Sequence, residues 1–250
     1  MRGWAAFGAI IRQPRLLAWT ALAGVLIYVN WQVFLIGTLS ENIVETSLGY
    51  FINPITTVLL GVFVLKERIR RLQWAAIGIA AVAVIVIVLF YGEFPWIALS
   101  LTASFGVYGL IKKKIGPAVD AVSGLTLESF WLIPIAVVQL ILVAATPEGI
   151  TMGSHGVWHA VLLAFAGVAT AVPLLLFAAG TRRINLTVIG MIQFITPIMQ
   201  FIIGAVVLGE PMPPERWAGF IIVWVAILVF VIDLLLAARR GRRIAQPALV

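Results

Sequence analysis

The chain has 250 residues, 62% of them hydrophobic and only 11% charged, with a mean hydropathy of +1.12. Soluble domains carry about 25% charged residues, so a water-soluble fold is excluded. There is no cysteine, which excludes disulfides and thiol chemistry, and the net charge of +7 lies in short loops between apolar runs, which argues against a nucleic-acid partner.

Eight apolar runs of about 17 to 23 residues are each long enough to cross a bilayer core of about 30 Å as a helix. The first, 16–37, follows Arg12 and Arg15 and carries Asn30 and Trp31. The second, 44–65, carries Tyr50, Asn53 and Pro54 and ends at Lys66. The third, 72–91, follows Arg68, Arg70 and Arg71 and stops at Gly92, Glu93, Phe94 and Pro95, a tight-turn sequence. The fourth, 95–111, contains Tyr108 and runs into Lys112, Lys113 and Lys114. The fifth, 122–144, carries Glu128, Trp131 and Pro134; the sixth, 157–179, carries Pro173 and leads to Arg182 and Arg183. The seventh, 186–208, holds Gln193 and Pro197 and ends in Gly209, Glu210, Pro211, Met212, Pro213 and Pro214, which cannot be helical throughout. The eighth, 216–236, contains Asp233 and precedes a basic tail at 237–250. Alternating segments of about 10 residues are absent, which disfavours a transmembrane barrel. The fold class expected is all-α, a polytopic membrane helix bundle.

With eight spans, 16 of the 17 Lys and Arg fall on one side and Arg216 alone falls on the other. The positive-inside rule makes the crowded side cytoplasmic, with both termini there. Shifted by 143 positions, the chain matches itself: Gly24 with Gly167, Phe34 with Phe177, Pro54 with Pro197, Gly61 with Gly204, Glu67 with Glu210 and Trp74 with Trp217. Five spans separate the starts of the two copies, and five is odd, so the copies face opposite ways. Inverted repeats are the architecture of many secondary transporters. In this reading 16–91 is a partial first repeat of three helices and 95–236 a second of five. Helices 95–111 and 122–144 then have no counterparts, and the missing pair is expected to precede residue 1.

Several stretches resemble one subfamily: SLGYFINPITTVLLGVFVLKERIRRLQW (47–74), YGLIKKKIG (108–116), LESFWLIP (127–134), VPLLLFAA (172–179) and the sequence from Gln193 to Asp233. They are similar to the RarD subfamily of EamA-type permeases in the drug/metabolite transporter superfamily. The resemblance covers nearly the whole chain. It implies a ten-helix fold of two inverted five-helix repeats in the bacterial inner membrane, a small-molecule solute, export of small metabolites, and a subfamily name tied to chloramphenicol sensitivity. The family's first two helices are absent here, so the expectation is either a start assigned too late or a shortened product.

Glu128 is the sharpest candidate for chemistry. It lies about six residues, or about 9 Å, into its span, where a carboxylate is costly unless paired, protonated or facing a wet cavity. It is the candidate for carrying protons as the coupling ion, and the plainer reading is an acid snorkelling toward Lys112, Lys113 and Lys114. That lysine run is itself read as a topology anchor. Asn30, Trp31, Tyr50, Asn53, Tyr108, Trp131 and Gln193 are polar or aromatic groups inside apolar spans and are candidates to line a solute cavity, although such groups also bond between helices. Pro54, Pro134, Pro173 and Pro197 are candidate helix breaks or hinges, since each removes a backbone donor, with an ordinary kink as the alternative. Asp233 is read as an interfacial partner of Arg239 and Arg240, and Glu67 and Glu210 as loop or helix-end structure. His155 and His159, without a third ligand, are a weak metal signal. No phosphate-binding glycine loop or nucleophile elbow is present, so no cofactor and no enzymatic activity are expected. The expected function is a secondary transporter of a small organic solute. The alternative is a non-transporting membrane subunit or truncated product.

Overall fold

The computed structural model describes residues 7–8, 10–40, 43–91, 94–147, 149–196, 199, 217, 221–222, 224–233 and 236. Among these residues every regular element is helical: α1 (Pro14–Leu39), α2 (Ile43–Phe63), α3 (Arg71–Tyr91), α4 (Trp96–Ile115), α5 (Ala121–Ala144), α6 (Gly156–Arg183) and α7 (Leu186–Gln193), with a further apolar helix, α8 (Trp224–Asp233). The fold is a bundle of membrane helices. Three of them, α1, α5 and α6, are by themselves long and apolar enough to cross a membrane among the described residues. Their outward side chains are apolar too: Leu142 on α5 and Leu162, Phe165 and Leu176 on α6 are exposed. In water so large an apolar surface would be an association hazard, whereas in lipid it needs no cover. A helix satisfies its own backbone polar groups, which hydrocarbon requires.

The helix ends follow local chemistry. Pro14 opens α1, where its missing N–H costs nothing. At the end of α2, Lys66 takes a left-handed φ of 56° and the Glu67 N–H reaches back to Gly61 O at 3.0 Å, closing the helix. The last turn of α4 carries Lys112, Lys113 and Lys114, and that of α6 carries Arg182 and Arg183; cations there oppose the negative helix end. Asp120 caps α5, accepting the Ser123 N–H at 3.0 Å. Three of the prolines expected to break or hinge helices, Pro54, Pro134 and Pro173, sit inside helices α2, α5 and α6 that continue past them. Pro54 is buried, whereas Pro134 and Pro173 are exposed. Pro197 lies outside the described residues, as do Glu210 and the 209–214 turn.

The chain forms two compact units. Unit 1 comprises Met1–Val29 and Tyr108–Ile184; unit 2 comprises Asn30–Val107 and Asn185–Val250. In unit 1, α5 packs on α6. The two loops at one end exchange cations: Lys113 Nζ donates to Ile184 O at 2.6 Å and Arg182 Nε donates to Gly116 O at 2.6 Å. In unit 2, α2 packs on α7 and α3. Its core joins Phe51, Ile55 and Val58 of α2 to Ala76, Ile77 and Ala80 of α3, Met191 and Phe194 by α7, and Ala226 and Phe230 of α8. Gly61 lets Thr187 approach α2, since a Cβ at Gly61 would lie 2.8 Å from the Thr187 Cγ2.

Candidate functional site

Unit 1 holds a buried charge cluster built from α4 and α5. Glu128 lies two turns into α5 and is 1% exposed. Lys112 Nζ donates to its Oε1 at 2.6 Å, and the Tyr108 hydroxyl donates to Oε2 at 3.2 Å. Tyr108 and Lys112 stand four apart on α4, hence on one face, and the ammonium lies 5.7 Å from the Tyr108 ring centroid. Phe177 of α6 stacks on the other partner in this group, the Tyr108 ring, at 6.0 Å between centroids. Gly124 leaves room for the ammonium, because a Cβ there would sit 3.0 Å from Lys112 Nζ. Gly24 of α1 does the same for the α5 backbone, where a Cβ would sit 3.1 Å from Glu128 O.

The arrangement follows from the cost of charge in a low-dielectric interior. One unpaired buried ion costs several kcal/mol, and a close pair with a further hydrogen bond offsets much of that. The cluster is therefore neutral as a unit, the Lys112 ammonium balancing the Glu128 carboxylate. The plainer reading of Glu128, an acid directed to the Lys112–Lys114 run, is met at Lys112, which is 4% exposed and bound to Glu128. Lys113 bonds Ile184 O instead, and Lys114 lies 5.0 Å from the Trp19 ring centroid. The signal available in the sequence was Tyr108 and Lys112 at helical spacing.

Unit 2 collects a different set. Asn30 donates from Nδ2 to Leu101 O at 2.9 Å and to Ser104 Oγ at 3.0 Å, so it fastens α1 to α4. Trp31 is half-buried. Tyr50 is half-buried, edge-on to Phe34 with centroids 6.2 Å apart. Asn53 Oδ1, Thr57 Oγ1 and Gln193 Oε1 are buried oxygens with no hydrogen-bond partner among the described residues. Each such atom left unsatisfied costs about 1–3 kcal/mol, so three in one unit call for a reason. Thr57 was not singled out from the sequence, because a threonine on an apolar helix usually bonds its own backbone. Asp233 is held by Arg70, whose Nε lies 2.9 and 2.8 Å from Oδ1 and Oδ2, with a further contact from Nη2. Arg239 and Arg240, the partners expected for Asp233, lie outside the described residues. The Asp233 hydrogen bonds hold the Arg70 guanidinium above its ordinary pKa. Glu67 accepts the Leu186 N–H at 2.8 Å and the Thr187 N–H at 2.9 Å, capping α7.

The EamA-like transporter family matches residues 95–232. Protein RarD of Streptomyces exfoliatus is 43% identical over 99% of this chain and 78% of its own length. The chain belongs to the RarD branch of the EamA-like transporter family. Transporter YojE of Bacillus subtilis, uncharacterised, is 41% identical over 91% of this permease and 74% of its own length. A crystal structure at 17% identity superposes with a TM-score of 0.60, covering 87% of this permease and 78% of that chain, which supports the helical fold alone. The RarD-type permease thus carries its candidate residues in two groups. Tyr108, Glu128 and Trp131, whose Nε1 donates to Thr20 Oγ1 at 3.3 Å, belong to unit 1. Asn30, Trp31, Tyr50, Asn53 and Gln193 belong to unit 2. The rings of His155 and His159 lie 5.2 Å apart, hydrogen-bonded to Ser154 and Thr151.

Proposed function

We propose that this permease exports a small organic solute across the bacterial inner membrane and couples that movement to protons through Glu128. The observation that carries this reading is the buried carboxylate of Glu128, inside a membrane-crossing helix and bound by Lys112 and Tyr108. A proton arriving on Glu128 removes the negative charge that Lys112 balances. The freed ammonium must then find another anion or a wet environment, which makes the pair a two-state element of the kind a coupled cycle needs. Halves of opposite orientation supply the alternation between compartments, with both termini cytoplasmic. Pro54, Pro134 and Pro173 serve as points of give where a backbone bond is already absent.

The test uses cells producing the full chain, with untargeted mass spectrometry of the spent medium. Wild-type cells enrich at least one small organic solute several-fold over cells lacking the chain, and Glu128→Gln cells do not. The enriched solute then enters inverted vesicles under imposed pH gradients, where the wild type responds to the gradient. Unchanged medium in producing cells would remove the export reading, and equal gradient-driven rates for Glu128→Gln would remove Glu128 from coupling.

A further inference from the structure

We infer that unit 2 contains a binding site for one sodium ion between α2 and α7. Three buried oxygens, Asn53 Oδ1, Thr57 Oγ1 and Gln193 Oε1, have no hydrogen-bond partner among the described residues. Thr57 is 1% exposed. Pro54 lies within α2 and has no N–H, so the Tyr50 carbonyl loses its ordinary helical donor. Three buried oxygens therefore lack the partners that a buried acceptor requires, and the Tyr50 carbonyl beside them lacks its usual helical donor.

Helix register brings them to one level. Gly61 of α2 meets Thr187 of α7, and a Cβ at Gly190 would sit 2.8 Å from Pro54 O. The two helices therefore run antiparallel, and Gln193, one turn past Gly190, falls level with Asn53. Tyr50, Asn53 and Thr57 recur at i, i+3 and i+7, which places them along one side of α2. That side is bounded by α4, where a Cβ on Gly106 would lie 3.1 Å from Thr56 Cγ2, and by α7 at Pro54 and Val58.

The chemistry of the set selects the ligand. All four are hard, neutral oxygens, which replace the hydration shell of a cation as carbonyls do in filters and in interrupted transporter helices. Calcium and magnesium favour carboxylates, and these four positions supply none. Neutral ligands alone suit a monovalent cation, here sodium. A sodium ion explains the three orphaned atoms at once. It is independent of Glu128, which is in unit 1 and already paired with Lys112.

The measurement is thermal unfolding of the purified full chain in detergent, in sodium chloride against choline chloride at equal ionic strength. Because no transport is involved, failure here is separable from failure of the proton-coupling reading. Sodium raises the midpoint by several degrees and saturably, while potassium needs at least tenfold higher concentration for the same shift. The near-isosteric Thr57→Val and the apolar Gln193→Leu each weaken the sodium response tenfold or more, and Thr57→Val leaves the midpoint in choline unchanged or higher. Equal midpoints in sodium and choline for the wild type would overturn the site. So would a rise with methylammonium chloride but not sodium, which would assign the oxygens to an amine, and so would a full sodium response in both variants.

Discussion

Lys112 and Glu128 illustrate how differently single and paired changes act in this interior. Removing either partner leaves the other charged and buried, at a cost of about 3–5 kcal/mol. Removing both leaves a neutral, similarly shaped pair with much less to lose. Lys112→Met and Glu128→Gln are therefore each expected to lower the unfolding midpoint strongly in detergent, and the double variant to recover most of the loss. A double variant as unstable as the sum of the singles would mean the two side chains act independently. Sequence alone made Glu128 conspicuous, because a carboxylate at that depth must be accounted for. It offered the Lys112–Lys114 run as the partner but could not choose among the three, because a lysine that ends one span is compatible with either a lipid headgroup or a buried partner. Rotation of the α4 face decides between them, and that is set by packing.

At the scale of the helices, ends and close approaches carry the specificity that all-round apolar surfaces cannot. Asp120 caps α5. Burial disfavours its charge, but the Ser123 hydroxyl and N–H, the Val122 N–H and Arg182 outweigh it and hold the carboxyl below its ordinary value. A depressed folded pKa means stabilisation that is complete above the unfolded value of about 3.9 and is lost as the pH falls through the lower folded one. Asp120→Ala is accordingly expected to cost about 1 kcal/mol near neutral pH, with the gap to wild type closing below about pH 4. Unfolding midpoints measured across pH check both parts. Gly190 sets the α2 and α7 approach: a Cβ there would meet Pro54 O at 2.8 Å and Val58 N at 3.0 Å, both backbone atoms that cannot swing aside. Gly190→Ala is expected to destabilise by about 1–3 kcal/mol, whereas alanine at Gly78, which faces open space, should be neutral or mildly stabilising.

For the whole molecule, the orientation proposed from the positive-inside rule puts the α4–α5 loop in the cytoplasm and the α5–α6 loop outside. The chain has no cysteine, so single-cysteine variants report without background. Ala118→Cys should react with a membrane-impermeant thiol reagent only after the cells are opened, and Ser154→Cys in intact cells. Labelling of both in intact cells would undo the alternation and with it the inverted halves.

The first six spans were legible in the sequence, because crossing hydrocarbon is a one-dimensional demand: enough consecutive apolar residues, with charges only at the ends; the seventh and eighth lie largely outside the described residues. The reading of 122–144 became α5 at Ala121–Ala144, and 72–91 became α3 at Arg71–Tyr91. The run at 95–111 was extended to Ile115, because the three lysines continue the helix instead of ending it. Family membership was legible for a similar reason, since glycines, prolines and charged turns recur in a fixed order along the chain. Partners were not legible. Asp233 binds Arg70 across 163 positions, Glu67 caps a helix that begins 119 residues later, and Asn53, Thr57 and Gln193 share the α2 and α7 pair. In a helix apolar on nearly every side, hydropathy carries no information about rotation. Only the packing of glycine-lined faces chooses which polar group meets which, and that choice exists only in three dimensions.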